Sequence, residues 1–105
     1  MIARIWHGRT KAEDADRYRD FLAQRAIPDY ASVEGNQGVR ILRRVQGDEA
    51  HFLMLTFWES EEAIARFAGE DMEKAKYYPE DKAFLLEFEP TVTHYEVFGK
   101  PQEQL

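Results

Sequence analysis

Apolar residues recur along this chain with two different periods, and the switches between them mark out its elements. Residues 2–9 alternate singly, with Ile2, Arg4 and Trp6 on one side and Ala3, Ile5 and His7 on the other, which predicts a strand. Thr10-Lys-Ala-Glu13 has the spacing of a capping box, and Ala15, Tyr18, Leu22 and Ala26, with Phe21 beside them, form a stripe at helical spacing. Pro28 is expected to end that helix, because the residue before a proline is pushed out of the helical region. Gly35-Asn-Gln-Gly38 reads as a turn, and residues 39–45 and 51–58 as strands joined by Gln46-Gly-Asp-Glu-Ala50. Ser60 is placed to cap a second helix, with Glu61 and Glu62 near its positive end. Ala63, Ile64, Phe67, Ala75 and Tyr78 supply its inward face, Gly69 loosens its middle and Pro79 ends it. In residues 80–90, Phe84, Leu86 and Phe88 alternate with Leu85, Glu87 and Glu89, the pattern of a short extra strand. Residues 91–98, TVTHYEVF, predict the last strand, and the tail GKPQEQL is expected to fray.

Strand–helix–strand thus occurs twice, giving βαββαβ: an α+β, ferredoxin-like domain over 1–98 with a tail at 99–105. Both helices are expected on one face of an antiparallel sheet, which leaves the other face to be polar. It is not. Phe52, Met54 and Trp58 point one way, toward the helices, while Leu53, Leu55 and Phe57 point the other. In the first strand, His7 is expected to face the helices and Trp6 the open side. Such a patch exceeds what monomers usually leave in water. A second copy packed sheet against sheet predicts a homodimer whose strands approximate a barrel with the helices outside.

Composition narrows the chemistry. The 105 residues suit one domain, and 44% apolar and 13% aromatic residues suit a packed core. The absence of cysteine excludes disulfides, thiolate nucleophiles and iron–sulfur ligation. The N-terminus MIARIWHGRT lacks the apolar core of a signal peptide, and no run approaches the ~20 apolar residues that span a bilayer, so a soluble cytoplasmic protein without a membrane partner is expected. A net charge of −6 argues against nucleic acid, although Arg40, Arg43 and Arg44 cluster on one strand, a pattern commoner at a solvated edge than at a ligand. The three histidines have no metal-binding spacing, and no nucleotide-binding glycine pattern appears, so neither a metal nor a cofactor is expected.

The order of elements, together with Trp58-Glu-Ser-Glu-Glu-Ala63 at the end of the third strand, resembles the antibiotic biosynthesis monooxygenase domain family of the dimeric α/β-barrel superfamily, from about Ile2 to Val97. The resemblance implies a homodimer and either cofactor-independent oxygenation of aromatic molecules or haem degradation. In the polyketide oxygenases the matching tryptophan lines the substrate cavity, which implies that role for Trp58. An asparagine and a tyrosine of that cavity are here Met54 and Ile64. The histidine and tryptophan of the haem degraders correspond to Tyr77 and Phe67, and their first-strand asparagine to Ile5 or His7.

Trp58, Met54, Ile64, Phe67, Tyr77 and Tyr78 are therefore the expected substrate-binding residues, with His7 as general base, since histidine titrates near neutrality. The same residues also read as plain core and His7 as a hydrogen-bonded structural histidine. His51 is expected in solvent, and His94 beside Glu96 at the dimer interface. Two functions follow: an oxygenase-like enzyme acting on a small aromatic or quinol-type substrate, or a non-catalytic barrel binding a small hydrophobic molecule. A haem-binding protein using Tyr77 is a third.

Overall fold

The computed structural model describes residues 1–99. Two long strands, β1 (Ile2–Lys11) and β3 (Glu49–Trp58), form the middle of a four-stranded antiparallel sheet. β2 (Asn36–Gln46) and β4 (Thr93–Glu96) flank them, giving the order β2-β3-β1-β4. Along β3 burial alternates residue by residue, with Ala50, Phe52, Met54, Thr56 and Trp58 all buried, so its apolar pattern has the period of the pleat. Helices pack on that face. α1 (Ala15–Phe21), a π turn (Leu22–Ala26) and α2 (Ile27–Ala31) run on as one helix and bury Tyr18, Leu22, Ala26 and Tyr30. α3 (Glu61–Ala68) buries Ala63, Ile64 and Phe67, and the Ser60 hydroxyl accepts the Ala63 amide at 3.2 Å as its cap. This is the α+β ferredoxin-like arrangement.

The helices depart from their sequence patterns in three places. Pro28 does not end the first helix. It lacks the N–H that would bond Gln24, and the chain widens just before it, the Ile27 amide reaching the Leu22 carbonyl five residues back. Thr10 caps nothing, because β1 continues through it to Lys11 and its hydroxyl donates to the Lys11 carbonyl at 2.9 Å. The second helix stops at Gly69, whose φ of +90° lies outside the range ordinary side chains adopt, and does not extend to Pro79. Ala75 is nonetheless buried, in an irregular stretch that pairs with the chain near Thr91.

A 3₁₀ turn (Pro79–Ala83) replaces the start of the expected extra strand. What remains of that strand is one bridge between Thr10 and Leu85, with the Leu86 amide donating to the Arg9 carbonyl at 2.9 Å. The last strand is shorter than 91–98, and the fraying expected of the tail falls, beyond Gly99, outside the described residues.

The faces of β1 are the reverse of the expectation. Trp6 pairs with Met54 and is buried under the helices, together with Arg4, Gly8 and Thr10. Ile5, His7 and Arg9 lie on the open face with Leu53, Leu55 and Phe57. That face is apolar as anticipated, but Trp6 is not part of it. Leu42 and Tyr95 add to it and are 43% and 56% exposed.

Candidate functional site

On the helix side, aromatic rings from five parts of the chain converge. Trp58 ends β3 and is fully buried, its indole N–H donating to Thr56 Oγ1 at 2.8 Å. Phe67 from α3 stacks on Tyr30 from α2 with centroids 4.2 Å apart, and lies 5.8 Å from Trp58. Trp6 meets the edge of Tyr77 at 5.9 Å. Met54 and Ile64 fill the space between. The cavity left is about 10 Å³, lined by Trp6, Tyr18, Leu22, Tyr30, Met54, Tyr78 and Asp81 among others, which is room for about one water. Trp58 thus closes the strand–helix junction as core, and the expected ligand space is filled by side chains.

Polar groups are set into this apolar wall. The Tyr18 hydroxyl donates to Asp81 Oδ1 at 2.9 Å, and the Tyr78 amide to Asp81 Oδ2 at 2.7 Å. Burial raises the Asp81 pKa from its ordinary value, against the pull of those two bonds. Tyr78 donates to Asp29 at 2.6 Å, and Tyr77 to the Glu89 carbonyl at 2.5 Å. Burial raises the pKa of both phenols, and that of Tyr30 is pushed up to about 12. Arg4 is 1% exposed, with its guanidinium 5.5 Å from the Phe67 ring and one nitrogen donating to the Lys74 carbonyl at 3.2 Å.

On the open face of the sheet lies a second cluster. Nδ1 of His7 bonds Glu89, and its Nε2 meets Nδ1 of His51 at 3.0 Å, with the two rings stacked. His51 in turn lies 3.8 Å from Glu49, and Arg9 bridges Glu49 and Glu87 at 2.9 and 3.0 Å. A shallow hollow of about 310 Å³ borders them, lined by His7, Leu42, Arg43, Arg44, Gln46, His51 and Leu53. Arg43 and Arg44 both border the hollow, and Arg43 also reaches back to Asp16 at 2.7 Å.

The structure therefore brings Trp58, Met54, Ile64, Phe67, Tyr77 and Tyr78 into one cluster and leaves His7 across the sheet from it. His51 is a partner of His7 and is half-buried, contrary to the solvated position expected. His94 pairs across the strands with Arg4 on the helix side, away from the open face expected for it. Arg4, Trp6 and Asp81 escaped notice as site residues. For Asp81 a signal existed, because an acid three residues after Tyr78, with Pro79 between, is the pattern of a helix start.

The chain is thus an α+β protein with one sheet face under helices and an apolar face opposite. The model of the antibiotic biosynthesis monooxygenase family matches residues 1–75, and the chain belongs to that family. Among solved structures it is similar to the haem degrader MhuD of Mycobacterium tuberculosis, determined with two haems bound in its active site. The identity is 21% and the TM-score 0.64, over 97% of this chain and 100% of that one. A Bacillus cereus protein described as a candidate antibiotic biosynthesis monooxygenase is similar at 17% identity and a TM-score of 0.63, over 96% of each chain. At these identities the likeness shows the fold. A comparison with curated proteins finds no match.

Proposed function

We propose that this chain is a homodimeric, monooxygenase-like protein that takes a small aromatic or quinol-type molecule between sheet and helices, among Trp58, Met54, Ile64, Phe67, Tyr77 and Tyr78. The convergence of Trp6, Tyr30, Trp58, Phe67 and Tyr77 on one compartment carries the reading, because flat apolar ligands are held by such walls. Its cover, the chain from Gly69 to Pro90, holds one 3₁₀ turn and no α-helix, so it can open while α1, α2 and α3 stay intact.

In oxygenation without a cofactor, a base removes an acidic phenolic proton and leaves an electron-rich anion to react with oxygen. Asp81 is on the correct side of the sheet, borders the cavity and has a raised pKa, which makes it a better base than an ordinary carboxylate. His7 serves as base only for a molecule bound on the open face. The homodimer uses that face, where Leu42, Leu53, Leu55, Phe57 and Tyr95 would otherwise meet water.

One observation favours the non-catalytic reading: the helix-side cavity of about 10 Å³ is far below the ~300 Å³ at which ligand pockets begin. The two tryptophans, Trp6 and Trp58, both face this compartment, so their fluorescence reports on occupancy. A series of hydroquinones and naphthoquinols is titrated while oxygen uptake is followed. Saturable quenching with uptake supports the enzyme, and quenching without uptake supports the binding protein. No quenching by any member overturns both.

Haem ligation through Tyr77 has less support, since its phenol is held by the Glu89 carbonyl and burial disfavours the tyrosinate. A Soret shift on stoichiometric haem addition, lost in Y77F, would establish ligation through Tyr77.

A further inference from the structure

Arg4 is out of place in a core this small. It stands on a central strand with its side chain 99% out of solvent, yet no carboxylate among the described residues pairs with it. Its surroundings are the face of Phe67, the phenol of Tyr30 and the main-chain carbonyl of Lys74. Its Nε is buried and has no hydrogen-bond partner. Beside it, His94 occupies the cross-strand position, and its Nε2 is also buried without a partner. A buried guanidinium is costly unless an anion compensates it, and its planar fork matches a carboxylate. The other cation at this ring, Lys76, is 4.2 Å from Phe67 and already has Asp29 at 3.4 Å.

We propose that Arg4 is the anchor for the anionic group of the ligand: a carboxylate carried on a flat aromatic body. This rests on the compartment reading above and adds the ligand's charge to it. The carboxylate takes both hydrogens of the guanidinium edge, one from the unpartnered Nε and one from the nitrogen that now bonds the Lys74 carbonyl. Releasing that carbonyl removes the cover's side-chain tie to the sheet at Lys74, so entry of the anion and loosening of the cover there are one event. His94, in its Nε2–H tautomer, supplies a further donor from the neighbouring strand. The aromatic body lies along Phe67, Tyr30 and Trp58. The opposing reading is that Arg4 is a strut holding the cover to the sheet through Lys74.

The test compares 2-naphthoate and benzoate with their neutral amides, 2-naphthamide and benzamide, by thermal shift and tryptophan quenching on the full chain. The expected result is stabilisation by the carboxylates and little by the amides. R4M removes the charge while keeping length and apolar bulk, and is expected to raise the carboxylate dissociation constant at least about tenfold. R4K keeps the charge without the fork and is expected to fall between. R4M alone is expected to melt at the wild-type temperature or above it, because an uncompensated buried charge has been removed, whereas loss of a strut lowers the melting temperature. R44Q, altered at the open-face hollow, is expected to bind as wild type.

Equal binding of acid and amide overturns the anchor and leaves the aromatic compartment standing. Binding of neither overturns both. Carboxylate binding that survives R4M but is lost in R44Q overturns the anchor in favour of the open-face hollow. Should R4M not fold, R4K decides: wild-type preference for acid over amide together with a lowered melting temperature establishes the strut.

Discussion

Replacing Tyr18 with phenylalanine isolates one hydrogen bond on which the cover depends. The ring is fully buried and packs on Phe21, Phe52 and Phe84 with centroids 5.0–5.8 Å away, and Y18F keeps those contacts. What it deletes is the 2.9 Å bond to Asp81, whose own exposure is 1%. A hydrogen bond to a charged group contributes about 1.5–3 kcal/mol. At about 4–8 °C per kcal/mol for a domain of this size, the melting temperature falls by roughly 6–24 °C. The Asp81 pKa is raised in the fold, so its contribution is fully present below the unfolded value near 3.8 and is lost as pH rises through the folded value. Losing Tyr18 removes a bond that favours the carboxylate and pushes that pKa higher still. The penalty of Y18F must therefore be largest at neutral pH and shrink as Asp81 protonates. Urea unfolding of both proteins at one protomer concentration, at pH 7.5 and pH 4, measures this directly. A loss below about 0.5 kcal/mol at pH 7.5, or an equal loss at both pH values, refutes the assignment of Asp81 as a strained, buried carboxylate held by Tyr18.

Three further perturbations read other parts of the fold. F57D puts a charge in the middle of the apolar open face, and is expected to convert a dimer into a folded monomer by light scattering at micromolar concentration, with circular dichroism unchanged. G8A places a methyl 2.4 Å from Cη2 of Trp6, so the indole must move; the expected cost is about 1–3 kcal/mol in urea unfolding, with altered tryptophan emission. The His94 pKa is lowered by burial and then by Arg4, against Glu73 and Glu61, so its contribution is present above about pH 6.5 and is lost as pH falls through the folded value. H94Q is expected to flatten the acid-side fall in stability over that window.

How far the chain could be read from its residues depended on whether each face of an element had a distinct chemistry. β3 was legible because its buried residues alternate without exception, and the Trp58–Ser60 junction because its cap and its apolar run agree. β1 was not. Its helix-side face carries Arg4, Gly8 and Thr10 beside two large apolar residues, Ile2 and Trp6, while its open face carries Ile5 and His7. With both faces mixed, period 2 fixes the alternation but not its sense. The error moved His7 across the sheet and hid its meeting with His51, which needs the β1–β3 register as well as the strands. The helix ends failed for a different reason. Pro28 reads as a helix end and Gly69 as a loosening in mid-helix, but a π turn absorbs the first and positive φ makes the second an end. Neither geometry is written in the local pattern of apolar residues.

Several polar contacts of this small domain meet the stretch where its regular structure is thinnest. Arg4 holds the Lys74 carbonyl, Asp81 takes Tyr18 and the Tyr78 amide, Tyr77 holds the Glu89 carbonyl, and Lys76 pairs with Asp29. Each tie joins the cover between Gly69 and Pro90 to the scaffold or to itself through one or two polar contacts, whereas β1 and β3 share a continuous ladder of ten residue pairs. A chain selected for stability alone would have continued α3 and filled these positions with apolar side chains, because buried charges contribute little or negatively to folding. A cover held by polar ties is released by a ligand that offers the same groups better partners. On the proposed reading, the carboxylate of an aromatic acid would do that at Arg4, and a phenolic proton at Asp81, 77 residues further along the chain and on the same side of the sheet. Under that reading the closed cavity and the aromatic walls are consistent with each other, the compartment being shut by its own side chains until a ligand displaces them.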